Sequence, residues 1–270
     1  MTTVAFQGVP GAYSDEAAQA LFPGSGTAGY PTFVRAFDAL ACGAVDVAVL
    51  PVENTVAGVV QEVSDLLWTH ETVQVTGEHV SPIRHVLMTK GDAPVKRALS
   101  HPQALAQCAA WLRSNGIEPV VFYDTAGAAE EVARSGTRGD GAIASRSAAE
   151  RYGLKIVATD IADSDTNQTR FLVLTGRSEN ALASGAGRRK LILGFTTDHR
   201  PGALAEVMAV FADHDANLTR LDSRPVPHMP FRYRFYADAE AAASSEPSLL
   251  DALRGAALEV RAFGSFDIEN

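Results

Sequence analysis

Cysteine is scarce: the 270 residues hold two, Cys42 and Cys108. Two well-separated thiols make no disulfide framework, so a reducing compartment, the cytoplasm, is expected. Positive charge is also short, with 23 Lys plus Arg against 32 Asp plus Glu and a net charge of −9. A chain without a basic surplus has little with which to displace counterions from phosphates, which excludes sequence-independent nucleic-acid binding. It leaves small anions open as ligands, because local dipoles hold an anion inside an acidic protein. No apolar run approaches the roughly 20 residues needed to cross a bilayer. The opening MTTVAFQG lacks a basic stretch followed by an apolar core, so no secretory leader is expected. Histidine spacing offers no metal site: His70-Glu71 and Glu78-His79 are not HExxH, and no Cys/His cluster has zinc spacing.

What is present is ordinary globular material, 46% hydrophobic and 20% charged, long enough for one large domain or two smaller ones. Over the first 175 residues short apolar runs alternate with helical patterns. Strands are expected at residues 3–6, 45–50, 72–75, 120–122, 141–144, 155–158 and 171–174. Helices are expected at 14–21, 32–41, 56–67, 102–113, 124–133 and 145–151. Val45-Asp46-Val47-Ala48-Val49-Leu50 is apolar on both faces for most of its length, which predicts a parallel sheet covered by helices, an α/β fold. Small and polar residues between Gly176 and Arg189 then read as a linker, assigned to 177–189. The remaining 81 residues, 190–270, read strand, helix, strand, strand, helix, strand, the ferredoxin-like α+β order.

Five segments stand where such folds place ligands, at strand ends and helix starts. Gly8-Val9-Pro10-Gly11-Ala12-Tyr13-Ser14 joins a strand to a helix; Gly11 permits close backbone approach and Ser14 is a cap, or the loop is only a tight turn. Glu53 and Asn54 follow the strand ending at Leu50 and offer an acceptor and an amide, with Asn54 otherwise a helix cap. Ser100-His101-Pro102-Gln103 starts a helix with Pro102 in its first turn, and Asp124-Thr125 starts another with either residue as cap. Asn167-Gln168-Thr169-Arg170-Phe171 sets a hydroxyl beside a guanidinium and an aromatic ring at a strand edge, suited to carboxylate binding and proton donation, or merely a strand start with an exposed ion pair. Trp68 and Trp111 lie beside leucines in helical patterns and read as core.

In combination these segments are more specific. Phe6-Gln7-Gly8 through Ser14, Pro51-Val52-Glu53-Asn54-Thr55, His101-Pro102-Gln103-Ala104-Leu105-Ala106-Gln107-Cys108, Ala144-Ser145 through Tyr152-Gly153-Leu154 and Asn167 through Phe171, in this order, resemble the prephenate dehydratases. Pro201-Gly202-Ala203-Leu204 and Leu218 through Pro225 resemble the ACT regulatory domain of that family. The resemblance implies a catalytic part, residues 1–176, folded like a type II periplasmic binding protein. Its two lobes would fall near 1–77 plus 160–175 and near 80–158. It implies decarboxylative dehydration of prephenate to phenylpyruvate without a metal or organic cofactor, with Thr169 as proton donor. Glu53, Asn54, Ser100, Gln107, Arg170, Phe171 and Ser14 would bind or orient substrate, with packing as the second role for Phe171. It also implies L-phenylalanine bound at an ACT–ACT interface by Gly202, Ala203, Leu204, Asp222, Ser223, Arg224 and Pro225, hence a homodimer or homotetramer. Asp222 stands where family members normally carry Glu, and Thr55 where Ser is more usual. Arogenate as substrate, a prephenate decarboxylase and a non-catalytic amino-acid sensor are the alternatives.

Overall fold

The computed structural model describes residues 2–176, 187–226 and 229–268, so most of the expected linker lies outside the described residues. The chain divides into two compact units, Met1–Val63 with Glu78–Val173, and Ser64–Gly77 with Leu174–Asn270.

In the first unit β1 (Thr3–Gln7), α1 (Tyr13–Leu21), β2 (Gly26–Tyr30), α2 (Phe33–Ala41) and β3 (Val47–Asn54) form two βα turns and a third strand. β1 pairs in parallel with both β2 and β3. The apolar-on-both-faces pattern holds here: Val4, Ala5, Phe6, Ala48, Val49 and Leu50 are fully buried. A short β4 (Gly58–Val59) folds back on β3, and α3 (Gln61–Thr69) follows. The expected helix at 56–67 therefore starts later. Asn54 is the reason: its Oδ1 accepts from the Val56 and Ala57 amides at 3.0 and 2.8 Å, closing a turn rather than capping a helix.

After β5 (Val73–Pro82) the chain builds a second sheet from β6 (Val86–Thr89), β7 (Arg97–Ser100), β8 (Glu118–Val121), β9 (Asp140–Ala144) and β10 (Lys155–Ala158), in the order β10-β6-β9-β7-β8. α4 (Pro102–Gln107), α5 (Ala109–Ser114), α6 (Thr125–Ser135) and α7 (Arg146–Tyr152) lie between its strands in sequence. This sheet is mixed, because β6 runs antiparallel to both β9 and β10 while β7 pairs in parallel with β8 and β9. Two start signals read from sequence hold: Asp124 accepts from Gly127 N, and Pro102 stands in the first turn of α4 after His101; Ser145 also caps its helix, accepting from Ala148 N. The strand β11 (Gln168–Gly176) returns beside β3, completing the order β11-β3-β1-β2. Two sheets with their own helices give the α/β, two-lobed organisation.

The second unit carries β12 (Arg188–Thr196), α8 (Ala203–Asp213), β13 (Asn217–Pro225), β14 (Tyr233–Ala242), α9 (Glu246–Ala256) and β15 (Glu259–Asp267). Arg188 and Arg189, expected in the linker, begin β12. The antiparallel order β13-β14-β12-β15 is that of the ferredoxin-like fold. Val207, Phe211, Leu249, Leu250 and Leu253 of the two helices bury one sheet face with Leu191, Leu193, Phe195, Ala237 and Ala239. On the other face Trp68 meets Tyr236 and Phe263 edge-on, both at 6.2 Å between centroids, with the Arg234 guanidinium 3.8 Å above it. Gly194 makes room for this indole, since a Cβ there would lie 2.8 Å from it.

Candidate active site

Asn54 is the last residue of β3, Thr169 the second of β11 and Gln107 the last of α4; a chain of neutral hydrogen bonds joins them across the two sheets of the first unit. Asn54 Nδ2 donates to Thr169 Oγ1 at 2.9 Å, to Asn167 Oδ1 at 2.8 Å and to the Gln168 carbonyl at 3.0 Å. Asn167 Nδ2 donates to Gln107 Oε1 at 3.0 Å. Gln107 Oε1 also meets His85 Nε2 at 2.8 Å, and His85 Nδ1 meets the Tyr13 hydroxyl at 2.7 Å. Asn167, Thr169 and His85 are 3%, 8% and 2% exposed, so the chain is shielded from competing water.

Its electrostatics follow from that burial. Desolvation lowers the His85 pKa, only partly countered by the bond to Gln107, so the ring is neutral near neutral pH. Desolvation raises the Tyr13 hydroxyl well above its ordinary value, with Glu16 and Cys108 adding to the effect. Burial, then Asp163, pushes the Cys108 thiol up to about 12, which makes it an inert packing group. Thr169 accepts from Asn54 and gives its own proton to no acceptor among the described residues. A hydroxyl whose lone pair is taken and whose proton is unclaimed is aimed to donate.

Arg170 lies between two carboxylates, with Nε 3.3 Å from Glu53 Oε2 and Nη1 2.9 Å from Glu78 Oε2. Both partners belong to this unit, so the guanidinium is braced beside Thr169 by Glu53 from β3 and Glu78 from β5. Phe171, 1% exposed, packs among Val4, Ala17, Val47 and Val49, the second of its two anticipated roles. Ser100 is fully buried and donates to the Ile143 carbonyl at 2.6 Å, tying β7 to β9. The Ser14 cap is corrected: Ala12 is the N-cap of α1 and Ser14 lies inside the helix. Gly11 donates instead to Asp15 Oδ2 at 2.8 Å. The close approach that Gly11 permits is to Ala148, whose Cα would sit 3.0 Å from an added Cβ. Its loop is a contact between the sheets, also held by Ser145 Oγ on the Gly11 carbonyl and Tyr152 on the Pro10 carbonyl.

Thus Asn54, Gln107 and Thr169 come together with Glu53 and Arg170 alongside, while Ser14, Ser100 and Phe171 are buried outside this hydrogen-bond chain. Tyr13, His85 and Asn167 were not singled out by sequence reasoning. Tyr13 and Asn167 lie within quoted motifs, and His85 precedes β6, a strand absent from the sequence reading.

In the second unit Gly202 takes φ +85° and precedes α8, Ala203 is buried, and Leu204 lines a cavity of about 300 Å³ with Phe231 and Phe235. Ser223 and Pro225 sit opposite Phe235 and Tyr233, on that cavity's side of β13. Alternation along the strand puts Asp222 and Arg224 on the other face. There Asp222 accepts from Arg220 Nε and Arg224 binds Asp65, each at 2.5 Å. One chain therefore does not gather all the expected effector residues into one pocket.

A prephenate dehydratase family model matches residues 4–179. The chain is similar to arogenate dehydratase/prephenate dehydratase 2, chloroplastic, of Arabidopsis thaliana, at 38% identity over 281 residues, 98% of this chain and 73% of that protein. It is 35% identical over 249 residues to a bifunctional N-acyl-homoserine lactone acylase/prephenate dehydratase of Komagataeibacter europaeus, covering 90% and 87%. Among solved structures it superposes on prephenate dehydratase from Arthrobacter aurescens in complex with L-Phe, with TM-score 0.89, 28% identity and coverage of 99% and 90%. The quorum-quenching acylase GqqA gives TM-score 0.91 at 32% identity, covering 99% and 98%.

Proposed function

The chain belongs to the prephenate dehydratase family, and from that premise we propose that it converts prephenate to phenylpyruvate with Thr169 as the proton donor. The observation that carries the assignment is the Thr169 hydroxyl, which accepts from Asn54 and keeps its proton uncommitted. Loss of carbon dioxide and of the ring hydroxyl makes the ring aromatic, so the step needs little beyond a proton delivered to the departing oxygen. An alcohol is a weak general acid. A fixed donor in a dry site lowers the barrier without reorganisation, and that suffices for a departure already favoured by aromatisation. Asn54 strengthens the donation by engaging the oxygen's lone pair. Arg170, already shared between Glu53 and Glu78, orients Thr169 and balances local charge. A site of neutral donors also avoids clamping the carboxylate that must leave as carbon dioxide, which would stabilise the ground state.

Arogenate is the second reading, favoured by the dual naming of the Arabidopsis relative. Mixing the enzyme separately with prephenate and arogenate at neutral pH and following product by absorbance and mass decides between them. Phenylpyruvate is expected from the first; no aromatic product from either overturns the reading.

The tail is read as an ACT domain that binds L-phenylalanine between two copies. Supporting this are the ferredoxin-like order, the cavity beside Leu204, and the exposed rings of Phe231 and Tyr233 at its rim. An effector site shared by two copies makes the protein a homo-oligomer, and two free cysteines accord with the cytoplasm. Millimolar phenylalanine is expected to raise Tm through ligand linkage. An unchanged Tm and unchanged activity remove the effector role.

A further inference from the structure

The hydrogen-bond chain has a direction, and backbone geometry sets it. Asn54 Oδ1 accepts from two backbone amides, Val56 N and Ala57 N, which can only donate. Its amide nitrogen is therefore turned toward Thr169 and Asn167. Asn167 must then present oxygen to Asn54 and nitrogen to Gln107, since two NH₂ groups cannot bond one another. Gln107 in turn presents Oε1 to Asn167, and the same oxygen faces His85 Nε2 at 2.8 Å. An oxygen bonds only a donor, so His85 carries its proton on Nε2. Nδ1 is left to accept from Tyr13 at 2.7 Å, with the Arg84 carbonyl at 3.1 Å as the weaker acceptor of the same hydroxyl.

This direction has a consequence at the far end of Gln107. With Oε1 held by two donors, Nε2 is turned away from the network, and it bonds no acceptor among the described residues. The site then offers the Thr169 O–H and both Gln107 N–H groups, all donors and all uncharged. We propose that His85, as its Nε2–H tautomer held by Tyr13, is a positioning residue that orients Gln107 to donate to the carboxylate or keto oxygen of the substrate. This rests on the dehydratase reading for the identity of the ligand, and on geometry alone for the tautomer. His85 itself touches no substrate; it acts through Gln107. Protonating the ring would not reverse the order. Nε2 stays a donor, and Tyr13 turns its oxygen to Nδ1–H and its proton to the Arg84 carbonyl. Among the groups surrounding Tyr13 and Gln107, those able to carry charge are Glu16 on α1, Cys108 after α4 and Asp163 near the Gln107 backbone.

Two measurements test this. In the free enzyme, imidazole ¹⁵N shifts at neutral pH are expected to show His85 protonated on Nε2; an Nδ1–H ring overturns the proposal whatever the enzyme's substrate. In the assay, His85→Leu is expected to lower kcat/KM about tenfold, the scale of one lost hydrogen bond, chiefly through KM. His85→Gln, which keeps a nitrogen donor near the Nε2 position, is expected to restore most of it. The His85→Leu effect should vanish when Gln107→Leu is already present, because the second residue is the route of the first. Additive losses, or equal losses in the Leu and Gln variants, overturn the positioning role while wild-type turnover of prephenate still stands. If His85→Leu does not fold, the tautomer carries the test together with His85→Gln, where a tenfold loss of kcat/KM overturns the positioning role.

Discussion

The polar cluster around Thr169 is built from uncharged side chains, those of Tyr13, His85, Gln107, Asn167 and Asn54, whereas the one beneath Trp68 is built from ions. In the latter Arg220 spans Asp222, Asp238 and Ser64, Arg224 and Tyr236 share Asp65, and Arg261 binds Glu71 and Glu259. Arg220 and Asp238 pair away from water, while Asp65, Glu71 and Glu259 keep much of their side chains in solvent; charges paired in this way hold one another and leave little to offer a ligand, so the second cluster works as a clamp between β13, β14, β15 and the end of α3. Amides and hydroxyls carry more than one bonding group each, and a directed chain of them consumes some and presents the rest. The first cluster thereby ends in unused donors at Thr169 and Gln107, at no cost of burying a net charge.

The largest expected break in this contrast is Arg220→Ala. Asp238 is 1% exposed, and the substitution takes away a cation 3.5 Å from its buried carboxylate. Chemical unfolding should show a loss of about 3–5 kcal/mol, and a loss below about 1 kcal/mol would mean the clamp is not needed for stability. Next comes Thr169→Ala, which should lower kcat by at least about 100-fold, roughly 2.7 kcal/mol of barrier, with KM little changed. Thr169→Ser should keep most of the activity, while near-normal turnover of the Ala variant would remove Thr169 from the chemistry. The smallest effect sharpens the comparison through pH. Because burial lowers the folded-state pKa of His85, the unfolded chain takes up this proton first, from about pH 6.5 downward. The stability His85 confers as a neutral ring is present above that pH and lost as pH falls through the lower folded value. Tm measured from pH 7 to 5 should therefore fall less steeply in His85→Gln than in the wild type, and parallel curves would show that His85 titrates normally.

Much of the molecule was legible in the order of its residues. Strands such as Val47–Asn54, buried on both faces, announce themselves by unbroken apolar runs, and Asp124, Ser145 and Pro102 mark helix starts because capping is a local matter of a few bonds. The β-α-β-β-α-β tail was equally plain, and the resemblance named Asn54, Gln107 and Thr169, three residues that one hydrogen-bond chain joins. Gly26–Tyr30 was not, since a strand of GTAGY has no apolar period and is stabilised by its pairing with β1. Pairing direction in the second sheet was likewise beyond local reading.

Sequence alone thus determined the class of fold and the order of elements in the long α/β part and the short α+β part, because each rests on neighbours a few residues apart. Tertiary structure alone decided that Arg170 is shared by Glu53 and Glu78, that Ser14 lies inside α1 while Ser100 bonds the Ile143 carbonyl, and that Tyr13 and His85 stand behind Gln107. Those facts rest on contacts between residues 22 to 117 positions apart, such as Glu53 with Arg170 (170 − 53 = 117). A hydrogen bond has a direction only once both of its ends are in place.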